Sequence, residues 1–266
     1  MKKQKGWQKQ KTVLDALFLR ELKARFTSGQ AGLFWTFFQP FFMVFLFVTM
    51  HVIMHGSDTN SNSAIEYGIF IALSFTSFFL FRDLLTKSSG AFRANKALFI
   101  YRQVKPIDTL IARLMVESFI MGVVILGFVI LAVYFDLISP PKNLIMVTLG
   151  YLWLTIFGFG IGLIIAVANT FYDVVGKIVG FLNLPLLFLS ALFYSIESIA
   201  KTNPEAAQML LYNPIVHFME MIHGFYFYDL DDRYVDYNYM ALWTATTLFI
   251  GLWLYINLER KIVSTS

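Results

Sequence analysis

The amino-acid sequence predicts an all-α polytopic membrane protein with six transmembrane helices. An N-terminal interfacial helix on the cytoplasmic side and short outer half-helices before the last span complete the expected architecture. Three observations carry this. Of 266 residues, 58% are hydrophobic and 14% charged, whereas soluble domains average about 45–50% and about 25%. Six apolar stretches are long enough to cross a bilayer as helices, which takes about 20 residues each. Basic residues gather on alternate sides of those stretches, as the positive-inside rule requires. The composition excludes a soluble enzyme, a disordered tail and a collagen-like fibre. With no cysteine, disulfides, thiolate nucleophiles and Cys-ligated metals are excluded as well.

The spans are expected at 33–54, 65–81, 114–135, 144–168, 178–196 and 239–258. Strand-like alternation is missing, so helices satisfy the backbone in lipid. Ahead of them, Leu14, Phe18, Leu22 and Phe26 recur every four residues, with Val13 and Leu17 beside them. That spacing suits a helix lying in the interface within residues 1–30. Glu21 and Arg25, four apart, are placed to pair with each other. The basic residues Arg20, Lys23 and Arg25 are candidates to meet an anionic substrate headgroup at a cytoplasmic entrance. No small-residue cleavage site follows a short apolar core, so no signal peptide is expected.

Residues 82–113 form a segment too long for a mere connection, mixing charge with Ala97, Leu98, Phe99, Ile100 and Tyr101. A short amphipathic helix is expected there, and Asp108 is placed to cap the third span. Glu117, near the start of that span, should face protein or water. In spans four and five, Gly158, Gly160, Gly162, Gly176 and Gly180 include two G-x-x-x-G pairs, expected to let helices approach closely. Pro40 and Pro185 should loosen or kink spans one and five.

Between the fifth and last spans, 197–238 is the longest segment of its side. Residues 206–212 and 216–228 look helical and are separated by Asn213-Pro214, which breaks any continuous span. Gln208, His217, Glu220 and His223 make lipid exposure costly, so two half-helices dipping into the outer leaflet fit better than a seventh span. An aromatic and acidic tract follows. Amphipathic rings belong at an interface, so one reading of the tract is an aromatic belt. The other is that Phe225, Tyr226, Tyr228 and Tyr234 line an exit path on which sugar rings slide, since flat apolar faces with polar tips suit a polyhydroxylated chain.

Orientation follows from Lys and Arg. Eight precede the first span and seven lie between spans two and three, taken through Arg113. Lys177, Arg260 and Lys261 fall on the same side, leaving only Lys142, Lys201 and Arg233 of 21 opposite. Both termini are therefore expected in the cytoplasm, with a transmembrane domain over 31–259 and a tail over 260–266. The net charge of +4 reads as topology and attraction to an anionic leaflet, and no nucleic-acid partner is expected.

Motifs for chemistry are sparse. No phosphate-binding loop is present, because Gly176-Lys177 is followed by Ile178. His51 and His55 lack the glutamate of H-E-x-x-H, and no catalytic or metal site is expected. His217, Glu220 and His223, three apart on one helix face, leave open a membrane-embedded enzyme acting on lipid-linked sugars. A proton-coupled secondary transporter is a further alternative, disfavoured by how few ionisable groups the spans carry.

The stretch 95–113 (NKALFIYRQVKPIDTLIAR) closely resembles the cytoplasmic loop of capsular polysaccharide export permeases, the KpsM group of ABC-2 type (type V exporter-like) integral membrane subunits. Ala16-Leu17-Phe18-Leu19-Arg20-Glu21 and Arg25-Phe26 resemble the start of that group. Gly160-Ile161-Gly162-Leu163, Phe171-Tyr172-Asp173, Pro185 and Asn213-Pro214-Ile215-Val216-His217 follow in its order, while Tyr194-Ser195-Ile196-Glu197 departs from a proline-containing version. The resemblance implies a homodimer in the bacterial inner membrane, docked to a separate ATPase subunit that binds ATP and Mg, with no cofactor on this chain. It implies export of a lipid-linked acidic polysaccharide, continued by a polysaccharide co-polymerase and an outer-membrane exporter. It also implies a coupling helix within 92–101, with Phe92, Arg93, Asn95, Leu98, Phe99 and Tyr101 as its residues.

Overall fold

A computed structural model describes residues 6–27, 30–55, 61–134 and 139–265. The described residues form eleven α-helices and one 3-10 turn, with no strand among them. The long helices are α1 (Gly6–Thr27), α2 (Gln30–His55), α3 (Ser61–Ser89), α5 (Pro106–Tyr134), α6 (Leu144–Phe171), α7 (Val174–Leu189) and α11 (Tyr237–Thr265). Short helices α4 (Ala91–Ala94), α8 (Ile196–Thr202), α9 (Pro204–Leu210) and α10 (Pro214–Tyr226) fill the connections, and Lys96–Ile100 is the 3-10 turn. Four segments are long and apolar enough to cross a membrane: Glu66–Ser89, Pro106–Leu131, Leu144–Phe171 and Tyr237–Ser264. Phe41–Met50 and Val174–Leu189 are shorter apolar helical stretches.

The shortest expected span, 65–81, lies at the centre. Every residue from 68 to 81 in α3 is buried. That burial inside protein explains its polar residues. Ser74, Thr76 and Ser77 each donate to a carbonyl four residues back, at 2.8, 2.7 and 2.6 Å, so no hydroxyl faces lipid unpaired. Aromatic stacking ties α3 to α6 and α10: Phe81 lies 5.7 Å from Phe157, and Phe157 lies 5.2 Å from Phe218.

The glycines of α6 divide by face. A Cβ at Gly158 or Gly162 would meet Leu84 Cδ1 at 2.8 Å or Ser88 Oγ at 2.6 Å on α3. One at Gly160 would meet the backbone nitrogen of Leu248 on α11 at 2.9 Å, and Gly251 answers from α11 with the Gly160 carbonyl 2.9 Å away. Three small residues two apart thus serve two neighbours. The second pair behaves differently. Gly176 meets the side chain of Asn169, but nothing lies within 4 Å of a Cβ at Gly180, because that turn of α7 faces away from the described residues.

The expected long connection 82–113 is mostly helical. α3 continues through Ser89 and α5 begins at Pro106, so residues 90–105 alone connect them. Charges at 82–87 persist in the helix because they satisfy one another: Arg82 and Lys87 each reach Asp83 at 2.7 Å. Asp108 caps α5 from its first turn, its Oδ2 accepting the Lys105 N–H at 2.9 Å. Asn143, Asn203 and Asn213 cap α6, α9 and α10, with Pro204 and Pro214 at the first helical position of the last two. The break at Asn213-Pro214 lies where the sequence places it. Pro185 lies inside α7, which stops at Leu189, short of the expected 196. Ala191, fully buried at φ 54°, turns the chain there through the left-handed region.

Both ends of the bundle are legible from packing. Phe92, Leu110, Leu163, Val167, Tyr255 and Ile262 form a cluster at one end. Ile69, Leu73, Val147, Ile222 and Tyr226 form one at the other. α1 and the last turns of α11 share the first end.

Candidate coupling face and outer cleft

At the α1 end, α1 lays its stripe on α5, with Leu17 buried and Phe18 edge-on to Phe119 at 6.1 Å. A lone interfacial helix would keep that stripe for lipid. The expected pair within α1 is replaced by two pairs across to α5. Glu21 faces Arg113 at 3.2 Å, and Arg25 pairs with Glu117. Glu117 is 1% exposed and also receives Lys87 at 2.5 Å. Gln10 adds a bond to Asp108 at 2.6 Å. Of the three basic candidates, Arg20 donates to Asn95, Arg25 is engaged by Glu117, and Lys23 is exposed.

The connection 90–105 is anchored from within. Phe92 is 1% exposed in the cluster with Leu110, Leu163 and Tyr255. Asn95 is buried, donating to the Ala91 carbonyl at 2.9 Å while accepting from Arg20. Arg93 pairs with Asp173 and donates to the Thr170 carbonyl at 2.9 Å, and Asn169 bonds Ser89 O and Gly176 N at 2.7 and 2.8 Å. The start of α7, the end of α3 and the connection are thus laced together. Leu98 and Phe99 are half-buried. The outward face carries Lys96, Ile100, Tyr101 and Arg102, with Ile100 85% and Tyr101 65% exposed. The six expected coupling residues therefore divide into Phe92, Arg93 and Asn95, which hold the segment, Leu98 and Phe99, which are half-buried, and Tyr101, which it presents.

At the α10 end, His217, Glu220 and His223 are all buried and each fastens a different segment. His217 bonds the Leu211 carbonyl at 2.9 Å and accepts the Asp236 N–H at 3.1 Å. Glu220 accepts the Ile196 N–H at 2.9 Å. His223 meets Ser74 Oγ at 3.0 Å and stacks on Phe70 at 4.0 Å. Burial pushes the Glu220 carboxyl up to about 7 and the His223 imidazole down to about 3, so the ring is neutral at pH 7. Three groups bonded in three directions make a staple for α10, not a shared reaction centre. Among the described residues no group of three or more His, Asp or Glu could hold a metal. The side chains of His51 and His55 lie outside the described residues.

The aromatic candidates also separate. Tyr226 is 1% exposed among Ile69, Leu73, Val147 and Ile222, Phe225 and Tyr234 are half-buried, and Tyr228 is exposed. Tyr234 alone of the four lines a cleft of about 380 Å³, with Gln208, Tyr212, Arg233, Asp236 and Tyr239. Tyr239 closes the aromatic tract, whereas Tyr212 lies outside it, in the turn after α9, and no spacing links the two. Arg113 and Glu117 do carry a signal: two charges four apart on α5, in the opposite order to Glu21 and Arg25 on α1.

Comparison with known proteins places these features in context. Residues 12–227 match the family described as ABC-2 type transporter. The chain is 33% identical over 264 residues to a polysialic acid transport protein KpsM of Escherichia coli, covering 98% of each chain. It is 26% identical over 250 residues to a capsule polysaccharide export inner-membrane protein BexB of Haemophilus influenzae, covering 94% of this chain and 92% of that one. It is 26% identical over 245 residues to the capsule polysaccharide export inner-membrane protein CtrC of Neisseria meningitidis serogroup B, covering 91% and 89%.

Proposed function

Since this chain belongs to the ABC-2 type transporter family, we propose that it is the transmembrane subunit of an ATP-driven exporter of lipid-linked acidic capsular polysaccharide. It is a multi-pass protein of the bacterial inner membrane, and its relatives are named as polysialic acid transport or capsule polysaccharide export proteins. Six helices, α2, α3, α5, α6, α7 and α11, cross the membrane. The α1 end is cytoplasmic and holds both termini. Two copies assemble with a separate subunit that binds and hydrolyses ATP with Mg. A polysaccharide co-polymerase and an outer-membrane exporter continue the path.

The observation that carries the coupling role is the two-faced segment 90–105. Its inner face is locked by the buried Phe92 and Asn95, the exposed Arg93 ties it to Asp173, and Lys96, Ile100, Tyr101 and Arg102 stand outward. An ATPase subunit that grips the outer face and closes would move the segment as a rigid body. The Arg20–Asn95 bond and the Arg25–Glu117 pair pass that displacement to α1 and α5. The Arg93–Asp173 pair passes it to the turn before α7. Arg20, Lys23 and Arg25 supply positive charge where an anionic headgroup enters, by exchange with their present partners. On the far side, Tyr228 and Tyr234 with the half-buried Phe225 belong to the wall of the exit, and Tyr226, closed from solvent in the core, supports that wall from beneath.

The test is co-purification of this chain with a candidate ATPase subunit, followed by polysaccharide-stimulated ATP hydrolysis. A stable complex with stimulated turnover is expected. Turnover of a lipid-linked sugar by the chain alone would favour the enzyme reading instead.

A further inference from the structure

The cleft at the α10 end is built for more than an aromatic belt. Its floor is fixed by a chain of bonds: His217 Nδ1 accepts the Asp236 N–H, Asp236 Oδ1 accepts the Tyr239 N–H at 2.9 Å, and Tyr239 Oη donates to the Tyr212 carbonyl at 2.7 Å. Tyr239 is also edge-on to His217, with centroids 5.2 Å apart. One wall is Arg233, held by Glu197 and Asp231, with its guanidinium 5.3 Å above the Tyr234 ring. Tyr212 stands 78% exposed at the rim beside Gln208. Such bonding orders the site before any ligand arrives, which lowers the cost of binding.

The lining sets three phenol rings and the apolar Leu211 and Val235 beside an amide, an imidazole, a carboxylate and a guanidinium. Apolar ring faces beside planar donors and acceptors match a pyranose, which offers C–H faces and hydroxyl edges. At about 380 Å³ the cleft is at the low end of small-ligand pockets, about 300–1,000 Å³, and suits one or two sugar rings rather than a lipid tail. Its surroundings have a sign as well. Residues 197–239 carry seven carboxyl groups against Lys201 and Arg233 alone. A polyanion is therefore held by stacking and repelled by charge, which keeps its residence short.

We infer that the cleft lined by Tyr212, Tyr234 and Tyr239, with Gln208, Arg233 and Asp236, is a saccharide subsite that grips one or two rings of the outgoing polymer. This deepens the export reading and rests on it. The acidic setting gives the subsite a distinctive salt response: an acidic oligosaccharide binds more tightly as ionic strength rises, because screening relieves like-charge repulsion. A basic peptide from an envelope partner would bind less tightly.

The experiment is saturation-transfer NMR on the full chain in nanodiscs, with maltotetraose and tetragalacturonate as probes. Transfer to ring C–H protons is expected, stronger for tetragalacturonate at high salt. Tyr212→Ala, whose ring is mostly exposed and so spares the fold, should weaken binding roughly two- to tenfold, and Tyr234→Ala likewise. Met209→Ala, exposed next to Gln208 but outside the cleft, should leave binding unchanged. Absence of transfer to both probes, or equal transfer with Tyr212→Ala, would overturn the proposal, as would occupancy by a basic peptide that falls with salt. ATP-dependent export by the same preparation with its ATPase subunit reports separately. Export with normal rates in Tyr212→Ala and no transfer would reject the subsite while leaving the transport reading intact.

Discussion

Arg25 of α1 and Glu117 of α5 form an ion pair across 92 residues of chain, and Glu117 is closed from solvent at 1% exposure. One turn away, Glu21 faces Arg113 in the opposite polarity. This crossed double pair turns a surface helix into part of the bundle, and Lys87 gives the buried carboxylate its second partner.

Removing the carboxylate takes a shared partner from Arg25 and Lys87, although Lys87 keeps Asp83. Breaking a buried pair costs about 3–5 kcal/mol, but Arg25 and Lys87 are 28% and 26% exposed, so screening lowers this to about 2–3 kcal/mol. Glu117→Ala should therefore lower the thermal midpoint in detergent, and Arg25→Ala should lower it less. The exchange Arg25→Glu with Glu117→Arg should recover part of the loss in a double-mutant cycle. Additive single effects would show that the pair has no coupling.

Helix approach at α6 makes a position-specific prediction. Gly160→Leu drives a side chain into the Leu248 backbone, and Gly162→Leu drives one into Ser88. Each should destabilise by about 1–3 kcal/mol or more, read as loss of folded protein in size-exclusion chromatography. Gly180→Leu, with open space around it, should behave as wild type.

Glu220 predicts a pH dependence. Its carboxyl titrates near 7 when folded against 4.5 when unfolded, so between those values the folded state keeps a proton that the unfolded state has lost. The wild type should lose stability as pH rises from about 4.5 to about 7 and level off above. Glu220→Gln, whose amide oxygen still accepts the Ile196 N–H, should remove that slope. Midpoints of both proteins at pH 5 and pH 8 check this, and parallel shifts would refute it.

The two faces of segment 90–105 should separate stability from transport. Phe92→Ala empties a buried site and should cost about 3–5 kcal/mol. Ile100→Asp alters a side chain 85% exposed and should leave the thermal midpoint unchanged while weakening ATPase binding at least tenfold. Co-purification yield and midpoint, measured on both variants, decide between these outcomes.

Where a pattern was local, the sequence was enough to read it. Asn213-Pro214 breaks the outer segment into α9 and α10 because a proline and an asparagine cap act through adjacent bonds. The apolar runs likewise announce α3, α5, α6 and α11. What needed the fold was invisible. Hydropathy ends a span at Phe81, but Arg82, Asp83 and Lys87 stay helical because they neutralise one another and Glu117. Glu21 and Arg25 look like partners at four residues apart, yet α5 offers each a better-placed opposite charge. Likewise, the cleft draws Tyr212 from the turn after α9, Tyr234 from a loop and Tyr239 from α11, a juxtaposition no spacing reveals.

The central claim is that this chain moves polysaccharide under the drive of an ATPase gripping segment 90–105. The most direct measurement is ATP-dependent translocation of polysaccharide into sealed proteoliposomes holding the chain and its ATPase subunit, wild type beside Ile100→Asp. The account predicts translocation that requires both ATP and the ATPase subunit and is lost in Ile100→Asp. Translocation by the chain alone, or at the wild-type rate in Ile100→Asp, would contradict it.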